Sequence, residues 1–479
     1  MAPHFGPSIA TITHMPSRRS FTAALLAAPL ASSLPTDPAD LTLTEAAALM
    51  RQRKLTPLEL TQACLKRIEK HNPRLNAFIT ILSEQALARS RSLQPADVAK
   101  QPLHGIPIAL KDLYDTAGIR TTAASAQWRD RVPQLDAAVV RRLHSAGSVL
   151  IGKTNLDEFA YNFTSETSAF GDSRNPWNAA CSPGGSSGGS AIAVASGMCL
   201  GALGSDTGGS IRLPAAFCGI TGFKPTYGLI PTAGAAPLAW SLDHVGPMTR
   251  TAADAALLHS VLTERPMPLA SVRSLRVGLA RDPYWQQLDS EVEHAMTAAV
   301  GTLTRLTAGA RDIKLPELPA NPESTLPTTY STVIFAEAYA YHREMLAARP
   351  ERYHSGTRTS IELGKPISAA EYITAQREME RLRATAAQSL FKDAEVLIIP
   401  AAPGPAFPLG SKPGLIFLRN TAPWNLYGLP AISVPCGFSR SGLPLGLQII
   451  GAPGRDSDVL SLAAAFQTQT DFHKRRPPA

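Results

Sequence analysis

The chain has 479 residues, of which 44% are hydrophobic and 18% are charged, and its formal net charge at pH 7 is +8. This composition excludes a disordered protein and predicts a globular one with one large domain or two to three ordinary ones. Apart from a short cluster at 474–476, the basic residues are scattered and do not alternate with aromatic residues, so we expect no nucleic-acid partner.

The first 33 residues have the order of a secretory signal. Paired arginines, Arg18 and Arg19, precede the short apolar run 22–30, and small residues follow at 31–33. The run is too short to cross a bilayer, and the arginine pair is typical of twin-arginine export. We therefore expect a periplasmic protein, with a cytoplasmic location as the alternative, and no stable membrane span later in the chain.

The remaining chain, 34–479, begins with helical signals. Thr42 and Glu45 have the spacing of a capping box, and Thr56 and Glu59 form a second one, with proline at the first helical position. Three residues recur at helical spacing after it, namely Leu60, Cys64 and Ile68. We expect these helices to pack over a sheet or to form an interface.

An alternation of strands and helices follows. Apolar runs predict strands at 106–110, 149–151, 396–400, 431–435 and 445–450. Helical patterns lie at 137–146 and 190–197, and the second is rich enough in small apolar residues to be buried. Because several of the strands contain proline, we expect a mixed sheet. The predicted fold is an α/β sandwich with a central mixed β-sheet covered by helices.

Residues 285–390 are more charged and carry longer helical patterns, such as 369–391. We expect a helical insertion there, within a single domain that spans 34–479, and we expect it to influence substrate selectivity. The five cysteines are far apart and none has metal-ligand spacing, so they should be free thiols that fill the core. No cofactor is expected.

The chemistry of the chain is concentrated in two glycine–serine clusters, 182–190 (SPGGSSGGS) and 204–212 (GSDTGGSIR). A serine hydroxyl becomes nucleophilic when a base removes its proton. His104, His144 and His244 do not lie in a recognised nucleophile setting. Lys111 follows an apolar strand pattern, and a buried lysine can act as the base because burial lowers its pKa.

Several motifs make the chain, from about residue 42 to 470, similar to the amidase signature family. They are GIPIALKD at 105–112, GKTNLDEF at 152–159, RNPWN at 174–178, the glycine–serine clusters, PAAFCG at 214–219, GFKPT at 222–226 and NLYGLPAISVP at 425–435. The ordered set is highly specific. The resemblance implies a Ser–cisSer–Lys amide hydrolase.

The resemblance also implies a role for each matching position. Ser210 would be the nucleophile, Lys111 the base, and Ser186 the proton bridge, with a cis peptide bond to Gly185. The oxyanion hole would consist of the backbone N–H groups of Thr207, Gly208, Gly209 and Ser210.

Other positions would support this triad. Ser187 and Asp206 would hold the network by hydrogen bonds, and Arg212 would pair with Asp206. The segment Ala160, Tyr161 and Asn162 would place its backbone beside the substrate. Three further polar residues are expected to serve structure, namely Lys153, Asp157 and Glu158.

Two functions inside the family remain open at this stage. One is a free-standing amidase acting on a small-molecule amide, carbamate or ester. The alternative is the A subunit of a glutamine-dependent tRNA amidotransferase. An exported protein could not serve cytoplasmic tRNA, and the segment 416–425 lacks the carboxylate that this subunit should carry near Leu418. We therefore favour the amidase over the subunit and over a catalytically silent binding protein.

The substrate class follows only loosely from the sequence. Four aromatic residues favour an uncharged, hydrophobic substrate, although core packing would explain them equally well: Phe407, Phe417, Trp424 and Tyr427. The sequence leaves the oligomeric state open, and a homodimer is one assembly that is compatible with it.

Overall fold

One mixed β-sheet organises the part of the chain that the computed structural model describes, residues 37–320 and 326–478. All of these residues belong to one compact unit, 34–479. The predicted export signal at 1–33 lies outside the described residues. The strands are β1 (Phe78–Ile81), β2 (Pro107–Lys111), β3 (Val149–Thr154), β4 (Gly201–Asp206), β5 (Thr221–Lys224), β6 (His244–Thr249), β7 (Val277–Ala280), β8 (Ala310–Ile313), β9 (Val396–Pro400), β10 (Ala431–Phe438) and β11 (Pro444–Gly451).

Within the described residues these strands form a single sheet in the order β1-β3-β2-β4-β6-β5-β10-β11-β9-β7-β8. β2 runs parallel to β3 and β4, and β7 runs parallel to β8 and β9, whereas the other neighbours are antiparallel. The predicted central mixed sheet is therefore confirmed. Because β2 and β4 are parallel neighbours, their carboxyl ends, and the residues that follow them, meet at one edge of the sheet.

Helices cover the sheet. They are α1 (Leu43–Arg51), α2 (Pro57–Leu75), α3 (Ser83–Ser92), α4 (Ala138–Ser145), α5 (Gly188–Ala195), α6 (Arg212–Cys218), α7 (Ala252–Thr263), α8 (Ser290–Leu306), α9 (Thr328–Ala348), α10 (Ser355–Glu362), α11 (Ala369–Leu390), α12 (Ile416–Arg419), α13 (Ala422–Leu426) and α14 (Asp456–Thr468). None of the helices in the described ranges combines the length and apolar character needed to cross a membrane.

The start signals at the first two helices are confirmed. Both capping boxes form, with Thr42 and Glu45 bonded reciprocally at α1 and Thr56 and Glu59 at α2. The predicted apolar face of α2 is buried, and the helix packs over β2 and β3. The five cysteines are buried and free, as expected.

The central helix α5 begins with the last three residues of the first glycine–serine cluster. All eight of its residues are buried, and it packs against β2, β3, β4 and β6. Its small side chains allow this close approach: a Cβ on Gly189 would overlap the backbone carbonyl oxygen of Ala77. The helix therefore holds the cluster tightly against the edge where β2 and β4 end.

The segment 285–390 contains α8 to α11 and also the edge strand β8. α8 packs on β10 and β11, whereas α9 and α11 pack against each other. β8 was not expected because its polar residues are partly exposed at the sheet edge, which hides the alternation of a half-buried strand.

Candidate active site

Lys111 is the last residue of β2, and its amino group joins the two glycine–serine clusters. The register of β2 and β4 pairs Leu110 with Leu203, which brings Lys111 beside the end of β4. The lysine is fully buried. Its Nζ lies 2.7 Å from the Oγ of Ser186, 3.0 Å from that of Ser187 and 2.9 Å from that of Ser205.

Burial changes the proton affinity of this lysine. Removal from water lowers the pKa of Lys111 from 10.5 to about 7, although the carboxylates of Asp157, Asp206 and Asp243 act in the opposite direction. A substantial fraction of the side chain is therefore neutral near pH 7 and can accept a proton.

The two serine clusters are also joined through their backbones. The peptide bond between Gly185 and Ser186 is cis, as the resemblance implies. The N–H of Asp157 donates to the carbonyl of Ser186 at 3.3 Å, and the N–H of Ser187 donates to the carbonyl of Ser210 at 3.1 Å. The last bond places Ser210 next to the Ser186–Ser187 pair, while the hydroxyl of Ser210 has no hydrogen bond within the described residues.

Ser205 is a member of this cluster that the sequence did not single out. Besides its contact with Lys111, its N–H donates to the Oγ of Ser187 at 3.3 Å, and its carbonyl accepts from the same hydroxyl at 3.2 Å. The signal that could have revealed it is its place near the end of β4, the strand parallel to β2. Ser187 thus has the network role that was predicted for it.

The backbone N–H groups of the segment 207–210 differ in whether they already have a hydrogen-bond acceptor. In the described part of the chain, those of Thr207, Gly208 and Ser210 have no hydrogen-bond acceptor. The N–H of Gly209 instead donates to the carboxylate of Asp206 at 2.8 Å. Of the predicted oxyanion donors, Gly209 is therefore already occupied in this structure, because a carboxylate lies next to it and accepts more strongly than water.

Glycine is required at both central positions of this segment. Gly209 has φ +136°, and a Cβ there would overlap the hydroxyl of Thr421. A Cβ on Gly208 would overlap the hydroxyl of Tyr330, which the sequence analysis did not identify. Tyr330 is buried on α9, so the segment 285–390 reaches the predicted oxyanion donors.

A buried ion pair holds the segment from behind. Arg212 donates to both carboxylate oxygens of Asp206, at 2.8 and 3.0 Å, which confirms the predicted pairing. Arg212 also bonds Gln448 at 2.7 Å and Asn425 at 2.6 Å, so α6 is tied to β11 and α13. Burial alone would raise the pKa of Asp206, but the guanidinium of Arg212 holds it well below its usual range.

A second carboxylate, Asp243, supports the first residue of the segment. It accepts from the hydroxyl of Thr207 at 2.6 Å and from the N–H groups of Leu238 and Ala239 at 2.9 and 3.2 Å. Burial raises the pKa of Asp243 to about 6. The sequence analysis missed Asp243 because an isolated Asp after a loop carries no pattern of its own.

None of the three histidines considered as a base is hydrogen-bonded to Ser186 or Ser210 within the described residues. His104 contacts Gln101 at 2.8 Å, and His144 lies on α4, 3.7 Å from Asp136. His244 is buried, with its Nδ1 2.7 Å from the carbonyl of Leu242. Lys111 remains the base candidate that contacts the serines.

Three polar residues at the end of β3 and just after it were expected to serve structure, namely Lys153, Asp157 and Glu158. Asp157 accepts from the N–H of Ser165 at 3.0 Å and from the hydroxyl of Thr167 at 3.1 Å, and burial raises the pKa of Asp157 to about 6. Glu158 accepts from Ser125 at 2.5 Å, and Lys153 lies 3.3 Å from Asp112. These contacts fit the structural roles expected of all three.

The three residues of the predicted substrate-binding segment 160–162 have different surroundings. Ala160 lines a cavity, whereas the hydroxyl of Tyr161 donates to the carbonyl of Ser360 on α10 at 3.1 Å. The side chain of Asn162 caps the N–H of Phe163 at 2.8 Å.

The four aromatic residues that favoured a hydrophobic substrate all pack in or against hydrophobic clusters. Trp424 is fully buried against Tyr284, and Tyr427 belongs to the same hydrophobic cluster. Phe407 and Phe417 pack on Phe217 of α6. None of the four lines the cavity described next, and their packing agrees with the alternative of core packing, so they carry no argument about the substrate.

This cavity, of about 310 Å³, adjoins the Lys111 cluster. Its polar lining comes from Ser205, Asp243 and His244, and it also reaches Ala160 and Leu113. The remaining wall is formed by 232–238, Trp240, Val245 and Tyr341. In residues 37–320 and 326–478, no group of three or more His, Cys, Asp and Glu side chains is placed to hold a metal ion.

A sequence model of the amidase family matches residues 59–460. The chain belongs to the amidase signature family. It is 39% identical over 482 residues to the A subunit of the glutamyl-tRNA(Gln) amidotransferase of Roseiflexus sp. (strain RS-1), covering 91% of this chain and 98% of that relative.

Solved structures of the family have the same fold. One of them is a crystal structure of an amidase, which superposes with a TM-score of 0.83 at 34% sequence identity. The match covers 90% of this chain and 100% of the amidase chain. A 6-aminohexanoate cyclic dimer hydrolase has a TM-score of 0.82 at 28% identity, covering 92% and 99% of the two chains. The family thus contains amide hydrolases that share the full length of this fold.

Proposed function

We propose that this protein is a free-standing amidase that hydrolyses carboxylic amides through an acyl-enzyme on Ser210. The observation that carries the proposal is the contact between the buried Nζ of Lys111 and the Oγ of Ser186, at 2.7 Å, beside the Ser187–Ser210 backbone bond. In this proposal Lys111 is the base, Ser186 is the proton bridge, and Ser210, whose backbone adjoins the pair, is the nucleophile.

The proposed relay needs the lone pair of the neutral lysine to face Ser186. A neutral amine has two N–H donors and one acceptor site. The hydroxyl of Ser187 donates to the Ser205 carbonyl, so it can only accept from Lys111. We propose that the second N–H is directed at the Oγ of Ser205, which leaves the lone pair facing Ser186 and able to take its proton.

Acylation then follows as a proton relay. The proton of Ser186 moves to the Nζ of Lys111 while Ser186 accepts the proton of Ser210, whose Oγ attacks the amide carbon. The free N–H groups of Thr207, Gly208 and Ser210 are available to stabilise the oxyanion.

The relay runs in reverse when the tetrahedral intermediate collapses. Ser186 gives its proton to the departing amine nitrogen and regains one from Lys111, and the C–N bond breaks. A water molecule, deprotonated by the same relay, then attacks the ester of Ser210 and releases the carboxylic acid. Lys111 returns to its neutral form after each half-reaction.

The A subunit of a tRNA amidotransferase is a second candidate, favoured by the 39% identity along nearly the full length of the Roseiflexus subunit. The segment 416–425, which begins with α12, contains no carboxylate to hold the amino group of glutamine. Leu418 packs among apolar residues there. We also propose export through the twin-arginine signal, which would separate the protein from cytoplasmic tRNA.

The purified chain, without any partner protein, is expected to hydrolyse simple carboxylic amides and to leave glutamine intact. Release of the amine and of ammonia would be measured for a panel of anilides, primary amides and glutamine. Glutamine hydrolysis that appears only when the other amidotransferase subunits are added, with no turnover of the panel, would establish the second candidate instead.

The pH dependence of the activity follows from the lowered pKa of Lys111. Only the neutral amine accepts a proton, so kcat/KM should rise tenfold per pH unit below about 7 and level off above it. The measurement is kcat/KM for one amide between pH 5 and 9. A profile that is flat across this range, or that falls as pH rises through 7, would contradict the assignment of a lysine base.

A further inference from the structure

We infer that Thr421 is a positioning residue for the oxyanion hole. Its hydroxyl fixes the peptide between Gly208 and Gly209, and this peptide sets the direction of the free N–H groups on either side of it. The inference rests on the proposed amidase function, because an oxyanion at this segment forms only in that reaction.

The peptide between Gly208 and Gly209 is held at both ends. The hydroxyl of Thr421 donates to the carbonyl of Gly208 at 2.6 Å, and the N–H of Gly209 donates to the carboxylate of Asp206 at 2.8 Å. A hydroxyl has a single proton, and the other carbonyl near it, that of Leu418, is more distant at 3.3 Å. Thr421 therefore supplies the bond at the carbonyl end of this peptide.

Two consecutive glycines make that bond important. Glycine adopts backbone angles that other residues avoid, as Gly209 does with φ +136°, so a peptide between two glycines rotates easily. Such a rotation also tilts the peptides before and after it. The first carries the N–H of Gly208 and the second that of Ser210, and neither N–H has an acceptor within the described residues. Loss of the Thr421 hydroxyl would therefore misalign two of the three free donors.

The third free donor is held independently of Thr421. The N–H of Thr207 belongs to the peptide whose carbonyl is that of Asp206, and this carbonyl accepts from the Nδ2 of Asn425 at 2.8 Å. The Oδ1 of Asn425 accepts in turn from Arg212 at 2.6 Å. Removal of the Thr421 hydroxyl should leave these bonds in place, so we expect a weaker oxyanion hole in a site that is otherwise intact.

The side chain of Thr421 is itself held in place. Thr421 is fully buried at the N-terminal end of α13, and its carbonyl accepts from Arg212 at 3.0 Å. Its hydroxyl lies so close to Gly209 that a Cβ on this glycine would overlap it. A donor that is fixed before the substrate arrives can direct the peptide without reorganisation during the reaction, which is the condition for effective oxyanion stabilisation.

Thr421→Val tests the role of the hydroxyl because it keeps the branched shape of the side chain. We expect kcat to fall about tenfold, which is less than the loss of about 10²–10³-fold that follows removal of a whole oxyanion donor. KM should change little, because the lost alignment acts on the transition state. Thr421→Ser keeps the hydroxyl and should restore the rate. The substrate is the amide that the wild type cleaves fastest.

Benzyl trifluoromethyl ketone separates a positioning role from a merely structural one. The Oγ of Ser210 would bond to its carbonyl carbon, the π electron pair would move to the oxygen, and the serine proton would pass through Ser186 to Lys111. The resulting anion depends on the same N–H groups, so its Ki should rise with the loss of kcat in Thr421→Val. The rise of kcat/KM near pH 7 should stay where it is, because Lys111 is not altered.

Thr61→Val is the matched control for replacing a buried threonine. The Oγ1 of Thr61 is buried on α2 and has no hydrogen-bond partner in the described part of the chain. This variant should keep both kcat and Ki. Thermal unfolding of each variant tests whether the fold persists. Thr421→Ala puts no methyl group against the carbonyl of Gly208, so it provides the same test if Thr421→Val does not fold.

Two results would overturn the inference. One is an unchanged kcat and Ki in folded Thr421→Val or Thr421→Ala. The other is a Thr421→Ser variant that loses as much activity as Thr421→Val, because the hydroxyl would then be irrelevant. A wild-type protein that cleaves no amide and whose Ser210 does not react with a fluorophosphonate would instead contradict the proposed amidase function, so the two failures are distinguishable.

Discussion

Ser210→Ala is expected to lose amide hydrolysis by roughly 10⁴-fold or more, because no other group can carry the acyl chain. The hydroxyl of Ser210 has no hydrogen bond within the described residues, so its removal should change the thermal unfolding temperature little. The measurements are kcat for an amide and the mass of the protein after reaction with a fluorophosphonate. Wild-type protein should gain one adduct and the variant none.

Ser196→Ala is a suitable control for the loss of a buried hydroxyl. The Oγ of Ser196 is buried and has no hydrogen-bond partner in the described part of the chain, and the residue lies at the far end of α5. This variant should keep its activity and its adduct. An adduct on Ser210→Ala at another serine, with activity retained, would refute the assignment of the nucleophile.

Lys111→Met is expected to lower kcat by about 10²–10⁴-fold, the usual contribution of a positioned base. Methionine has a similar length and is readily buried, so the fold should persist. The remaining activity should also lose the rise of kcat/KM around pH 7. Steady-state kinetics between pH 5 and 9 and thermal unfolding provide the two measurements.

Lys224→Met tests whether any buried lysine would have this effect. Lys224 is also fully buried, but its amino group donates to the backbone carbonyls of Pro225 and Leu429 and not to serines. This variant should be less stable yet retain the pH dependence of the wild type. If Lys111→Met keeps near-normal rates at neutral pH, another base must act.

Elements with strong local signals were predicted closely. The capping boxes mark the starts of α1 and α2, since a threonine and a glutamate three residues apart can satisfy the first N–H groups of a helix wherever it packs. β9 coincides with the predicted run 396–400, because both of its faces are buried and its residues are uniformly apolar.

Other strands escaped prediction because their residues do not favour strands. β4 contains two glycines, a serine and an aspartate, a composition typical of turns. It is nevertheless a central strand, between β2 and β6, and the side chains of Leu258 and Met248 leave no room for a Cβ on its two glycines. Only the neighbours of a strand can reveal this kind of constraint.

The residues of the candidate site were likewise predicted only in part. The sequence resemblance indicated Lys111, Ser186 and Ser210 by their motifs. It did not indicate Ser205 or Asp243, which contact this group through a strand register and a loop closure. For Trp424 the sequence left pocket lining and core packing open, and the structure places it in the core.

The sequence by itself determined the family and the candidate triad, because glycine–serine clusters and their spacing are local features that the chain carries without folding. Tertiary structure decided the proton affinity of Lys111, since the desolvation that lowers its pKa to about 7 requires β2, β3, β4 and α5 to close around it. It also decided which N–H groups of 207–210 are free, because the carboxylate of Asp206, which Arg212 also binds, accepts from Gly209 in the folded chain.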